Sequence, residues 1–238
     1  MKRIISALKE KWPEYILEII VLVIGIFIAF ELNNYGENQK RQKEEIEILK
    51  GCRAELQTDL KDINLNINDF KKSLFALETF IDLLENDGQY HDSLAALFNY
   101  TLLPIHFVHS SSAFETLKSK GLDIISNPDI RTNLVKVYDS QYDFFLQAES
   151  EELDEVHYGL RHILPGRFES GFNFPKSNFE GELIPLNFEA LKSDIEFLYF
   201  LKTHRNRTQS YLDYFYANLK KDVERMISDL DTELKRLE

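Results

Sequence analysis

The stretch from Tyr15 to Tyr35, YILEIIVLVIGIFIAFELNNY, constrains this chain more than any other. Its apolar run from Ile16 to Phe30 is broken only by Glu18. At 1.5 Å per residue, the roughly 17 residues from Tyr15 to Glu31 rise about 26 Å, enough to cross a thin hydrocarbon core. A window this short also fits a buried helix of a soluble protein. The flanks favour the membrane: Trp12 and Tyr15 stand where interfacial aromatics belong, Lys9 and Lys11 lie just outside, and Asn33-Asn34 marks a polar exit. Ala29-Phe30-Glu31 and the following Leu-Asn-Asn offer no small-x-small step, so a retained signal anchor is expected rather than a cleaved peptide.

Charge divides the chain at the same place. Residues 1–36 carry Lys2, Arg3, Lys9 and Lys11 against Glu10, Glu14, Glu18 and Glu31, which sum to zero. The whole formal charge of −12 therefore falls on the remainder. An acidic domain repels phosphate backbones, so nucleic acid is not an expected partner. Four basic residues before the run, against Lys40, Arg41 and Lys43 after it, tilt the amino terminus slightly toward the cytoplasm. The single Cys52 rules out an intrachain disulfide and reads as a small helix-face residue.

Beyond Gly36, apolar residues recur at alternating steps of three and four: Ile46, Leu49, Leu56, Leu60, Ile63, Ile67, Phe70, Leu74, Leu77, Ile81 and Leu84, with Arg53 on the seam. No Pro intervenes before the Asn86-Asp87-Gly88 stop signal, which predicts a helix of about 50 residues that can run on from the anchor. Leu198, Leu201, Leu212, Phe215, Leu219, Val223, Met226, Leu230 and Leu237 repeat the pattern at the far end, interrupted by Arg205 and Thr208. Two helices of similar length suggest an antiparallel pair, with the carboxyl terminus returning toward the membrane. Between them, Ser93 to Leu103 reads as a short helix, and Ser112-Ala-Phe-Glu115 as a capping box for another that Gly121 closes. Asn127-Pro128 opens a third, which ends at Pro165-Gly166. The expected fold is all-α: a transmembrane helix continuing into a long helical bundle with antiparallel coiled-coil packing. Its parts are a tail over 1–14, an anchor over 15–35 and a helical domain over 36–238. That domain divides into a long helix (36–86), distal helices and loop (87–188) and a long closing helix (189–238).

Candidate chemistry is thin. The carboxylates Glu149, Glu151, Glu152, Asp154 and Glu155 read as a solvated helix face rather than an acid–base pair. Asp154-x-x-His157 has no second copy to complete a bundle metal site, and His106-x-x-His109 lies in a loop without a companion acid or Cys. Ser110, Ser111 and Ser112 beside His109 read as helix capping rather than a nucleophile. No catalytic group, metal or cofactor is expected. Two features point to association. Gly25-x-x-x-Ala29 permits close helix contact. Glu18 is an ionisable group inside the span that either reaches the interface or bonds a neighbouring helix. The long loop from Pro165 to Asn187 holds Arg167, Phe168, Phe172, Phe174, Lys176 and Phe179, which either pin the loop to the bundle or form a distal recognition surface.

The segment Glu18-Ile-Ile-Val-Leu-Val-Ile-Gly-Ile-Phe-Ile-Ala-Phe-Glu-Leu-Asn-Asn34 resembles a family of uncharacterised bacterial membrane proteins, a domain of unknown function. Glu18, Val23, Ile24, Gly25, Ile26, Ile28, Ala29, Asn33 and Asn34 match its opening motif, and Tyr35 departs from the usual Trp. Ile48-Leu49-Lys50, Glu55-Leu56 and Phe114-Glu-Thr-Leu-Lys-Ser119 are also similar to the family. The resemblance implies a single-pass protein of a Gram-negative inner membrane with its large domain in the periplasm, and it carries no activity or site. The expected function is a membrane-anchored scaffold or accessory interaction subunit, partnered by the bilayer through 15–35 and by a second copy or another membrane protein. The alternative is an extracytoplasmic ligand-sensing module acting through a signalling partner, because a tail of about 14 residues has no room for an output domain.

Overall fold

The computed structural model describes residues 12–169 and 181–238. The protein is all-α. Among the described residues there is no strand, only isolated bridges joining Phe168 to Pro165 and Pro185. Helix α1 (Trp12–Glu85) runs unbroken for 74 residues, about 110 Å, so the apolar segment and the bundle's longest helix are one element. The best 18-residue window of that segment has a mean hydropathy of 2.5, and none of it is buried against the rest of the chain. An exposed apolar surface of this extent is compatible with a membrane anchor and differs from the buried core helix of a soluble protein. The bundle begins at Arg41, whose guanidinium donates to the carbonyl and carboxylate of Asp123. The ten helical steps from Glu31 to Arg41 thus form a neck about 15 Å long.

Short elements follow α1. Asp87 enters the left-handed region (φ 53°), and the Gly88 N–H closes on the Leu83 carbonyl. Then come α2 (Leu94–Asn99, continued by a 3-10 turn), α3 (Ser112–Lys120), α4 (Pro128–Val135) and α5 (Tyr142–Tyr158). Asn127 caps α4 as expected, accepting from the Asp129 and Ile130 N–H groups. Gly121 ends α3 at φ 105°, a conformation that favours glycine. The expected capping box at Ser112–Glu115 does not form. Glu55 of α1 accepts instead from the Ser112 hydroxyl and the Ala113 N–H.

The closing helix is a short α6 (Phe188–Leu191), a break at Asp194, then α7 (Ile195–Ser210) and α8 (Ala217–Leu237). Asp194 caps α7 by accepting from the Phe197 N–H. Contacts of Gln42 with Leu237, Arg53 with Asp231, Asn64 with Lys220 and Glu85 with Lys202 run in opposite order along the two helices, so the pair is antiparallel. The carboxyl terminus comes back as far as Gln42 and stops about 16 Å beyond Glu31.

The seam of α1 differs from the expected one along most of one row, of which only Ile81 is buried. Leu49, Leu56, Ile63, Phe70, Leu77 and Leu84 are buried, but their companion row is Cys52, Asp59, Asn66, Ser73 and Phe80. The expected companions Ile46, Leu60, Ile67 and Leu74 are only half-buried on the flank, as is Arg53. Three π-helical stretches, Lys136–Gln141, Gly159–Ile163 and Tyr211–Tyr216, shift the register elsewhere. Across the last of them Tyr211 and Tyr216 face inward, five residues apart, while the expected Leu212 and Phe215 are half-exposed. The extra residue of a π turn causes that slip.

Candidate functional site

The residues singled out from sequence occupy separate places. Glu18, Gly25 and Ala29 share one face of α1, since steps of seven and four residues bring the helix back to nearly the same direction. Apart from its chain neighbours and the local helix backbone, no atom lies within 4 Å of the position a Gly25 Cβ would take. Arg167 is engaged rather than offered. Its guanidinium reaches Asp194 at 2.7 Å and Glu196 at 2.6 Å, and donates to the Ile163 carbonyl at 2.8 Å. Phe168 is buried, edge-on to Phe80 and 5.6 Å from Phe197. Phe172, Phe174 and Phe179 lie outside the described residues.

The polar row on α1 exists to hold an extended segment. Leu103 to Ser111 crosses the bundle without helical or sheet partners, burying Ile105 and Phe107. Its backbone is bonded by side chains of α1. Asn66 donates to the His106 carbonyl (2.9 Å), Asp62 accepts from the Val108 N–H (3.0 Å), and Asp59 accepts from the Ser110 N–H (2.9 Å). With Glu55 on Ala113, positions 55, 59, 62 and 66 recur at helical spacing, so one helix face works as a surrogate strand. From the other side, Glu149 of α5 accepts from the Phe107 N–H at 2.6 Å, and the Tyr142 hydroxyl donates to Asp59 at 2.7 Å.

Glu149 and Glu152 are therefore buried, against the expectation of a solvated face. Burial pushes the carboxyls of Asp59, Glu149 and Glu152 above their usual range, only partly opposed by the groups that bond them. Glu152 lies 3.3 Å from Arg207 and 3.6 Å from His204 Nδ1. Burial brings the His204 imidazole down to about 4, which keeps it neutral beside that carboxyl. The Cys52 thiol is pushed up to about 12 by burial, so it is an inert filler of the seam. Among the described residues no three His, Cys, Asp or Glu side chains come together as a metal site.

A groove between α5 and the α7–α8 junction was not anticipated. It encloses about 350 Å³ and is lined by Phe144, Phe145, Tyr214, Phe215, Leu219, Gln141, Asn218 and Asp222. Two of the π stretches border it. Gln141 ends one, and Tyr214 and Phe215 belong to the other. Phe145 and Tyr216 turn into the core, leaving Phe144 and Tyr214 each 57% exposed on the rim. The sequence signal was the doubled aromatics Phe144-Phe145 and Tyr214-Phe215-Tyr216, which no single helical face can bury together.

These features define an all-α bundle carried on an apolar helix, with a polar row clamping an extended segment. The chain belongs to DUF6090, a family of unknown function, whose profile matches residues 18–157, more than half of the 238 residues. That match takes in the apolar segment, the clamp and Glu149, and ends before Arg167, His204 and the α7–α8 wall of the groove. No curated protein and no solved structure matches the chain.

Proposed function

We propose that the protein is a single-pass, membrane-anchored helical scaffold or accessory subunit without enzymatic activity. In this reading residues 15–35 cross a bacterial inner membrane, the amino terminus is cytoplasmic and the bundle stands in the periplasm. The observation that carries it is the unbroken α1, which joins an exposed apolar segment to the bundle seam in one element and transmits position between them. The basic residues before the span and the anchor's resemblance to Gram-negative membrane proteins support the orientation. Glu18, Gly25 and Ala29 supply a face for a second helix, from another copy or from another membrane protein.

Affinity purification of the full-length protein from native membranes, followed by intact-complex mass spectrometry, tests the reading. A second polypeptide, or further copies, at fixed stoichiometry is expected. A bare monomer refutes it. One observation favours a second reading, a ligand-responsive module acting through a signalling partner: the aromatic groove is of ligand size and sits where two helices leave regular α geometry.

A further inference from the structure

We propose that the groove between α5 and the α7–α8 junction binds a small organic ammonium: a primary amine carried on an aromatic or apolar body. The inference rests on the ligand-responsive reading and names its ligand.

Three rings shape the apolar part. Phe215 stands between Phe144 (centroids 5.8 Å apart, 32° between planes) and Tyr214 (5.2 Å, 89°), so a guest meets ring surfaces of different inclination. Ring faces carry negative quadrupole potential and attract cations. The polar part offers acceptors. Gln141 donates its amide N–H to Asp222, which fixes its amide orientation and leaves Oε1 buried with no partner. Asn218 spends its amide N–H on the Tyr214 carbonyl at 2.7 Å and keeps its own carbonyl oxygen as an acceptor. Asp222 adds a carboxylate, whose other oxygen accepts from Arg225 at 2.8 Å. That arginine is half-exposed, and such a solvent-screened pair holds the carboxylate weakly.

No Lys or Arg is among the lining residues. Acceptor oxygens, one carboxylate and π faces together complement a group that is cationic and carries N–H donors. A carboxylate ligand would meet Asp222 and find no cation within the lining, and a neutral body would gain no charge attraction from Asp222 or the ring faces. The enclosed volume of about 350 Å³ suits a molecule with one ring and a short chain.

The test uses the full-length protein in detergent and three probes of matched shape: 2-phenylethylamine, 2-phenylethanol and 3-phenylpropionate. Isothermal titration is expected to show saturable one-to-one binding of the amine, with the alcohol at least about tenfold weaker and the acid without binding. Phe144→Ala and Tyr214→Ala change exposed rings and spare the core, so both are expected to fold while weakening the amine by about tenfold. Asp222→Asn is expected to narrow the gap between amine and alcohol, with unchanged circular dichroism as its folding control. Equal affinity for amine and alcohol, amine binding indifferent to Phe144 and Tyr214, or no binding at millimolar amine each overturns the proposal. The titration needs no partner protein. Failure here rejects the ligand class, whereas amine binding that leaves every partner association unchanged rejects the signalling role alone.

Discussion

Helix α1 is packed in two ways along one heptad. From Leu49 to Ser73 its apolar row of Leu49, Leu56, Ile63 and Phe70 travels with Cys52 and the polar residues Asp59, Asn66 and Ser73. Farther from the apolar segment the rows become Leu77 and Leu84 with Phe80, and the polar members drop out: Phe80 stacks on Phe98 at 3.6 Å, with Phe168, Phe188 and Phe197 around it. What lies opposite explains the contrast. The near half faces an extended segment whose amides and carbonyls need partners, and a helix has only side chains to give. The far half faces mostly helices and turns, which satisfy their own backbones and leave only apolar side chains to be packed. The same repeat thus serves as a hydrogen-bonding surface at one end and a hydrophobic one at the other.

Removing the ring that centres the far half should have the largest effect. Phe80→Ala deletes a fully buried side chain held between neighbouring rings, and about 4 kcal/mol of stability should be lost. The near half should be broken by a smaller side chain for a different reason. Asp59→Ala leaves the buried Tyr142 hydroxyl and the part-buried Ser110 N–H without their acceptor, at a cost of about 3 kcal/mol. Asp59→Asn keeps a carbonyl for Ser110, and the Tyr142 hydroxyl can rotate to accept from the new amide, so about 1 kcal/mol or less should be lost. Chemical unfolding of the full-length variants in detergent, followed by circular dichroism, ranks the three. If Asn is as damaging as Ala at position 59, bonding to the extended segment is not what the near half needs.

How much of this was legible before the structure depends on what each pattern records. The apolar segment, the two long antiparallel helices and the Asn127-Pro128 helix start are written in composition, period and caps, all local signals. The second row of α1 was not, because counting apolar residues skips Asp59, Asn66 and Ser73 and selects Leu60, Ile67 and Leu74 one residue along. Their burial depends on segment 103–111, which is distant in sequence. Glu149 and Glu152 were hidden in the same way: five acids in one stretch look solvated until a backbone amide and an arginine are brought to two of them. The groove was obscured by the π turns, which alter the register without any residue that announces them.

Acidification should move the two halves in opposite directions. In the near half, burial holds the Asp59 and Glu149 carboxyls above their ordinary values of 3.8 and 4.5. The folded state binds those protons more tightly than the unfolded chain, so stability falls as pH rises from those values through the raised ones and is level above. Toward the far half, His204 has its pKa lowered from 6.5 to about 4 by burial; it stacks on Phe200 and faces Glu152 and Arg207. The unfolded chain takes up that proton first, so its contribution is lost as pH falls from 6.5 toward 4, by about 1 kcal/mol at pH 5.5. Asp194, held below 3.8 chiefly by the Arg167 hydrogen bond, adds a loss that begins only as pH falls below 3.8. Hydrogen exchange at pH 7 and 5.5, corrected for intrinsic rates, should show protection around Phe197–Leu201 falling while that of residues 105–110 holds or rises. A His204→Phe variant that keeps the full acid response would remove histidine from this account.

The smallest effect concerns the ion pairs that decorate both halves, and it decides whether charge contributes to the contrast at all. Lys50 meets Glu238 at 2.7 Å in the near half, and Lys202 meets Glu85 in the far half, each with both partners substantially exposed. Water screens such pairs, and fixing two long side chains costs nearly what the attraction returns. Lys50→Ala and Lys202→Ala should therefore melt with the unmodified protein within error, at low and at high salt. A salt-dependent loss confined to one of them would mean that the closing helix is held to α1 by charge in that half. The difference between the halves would then lie partly on the surface rather than in the opposite demands of an extended backbone and an apolar core.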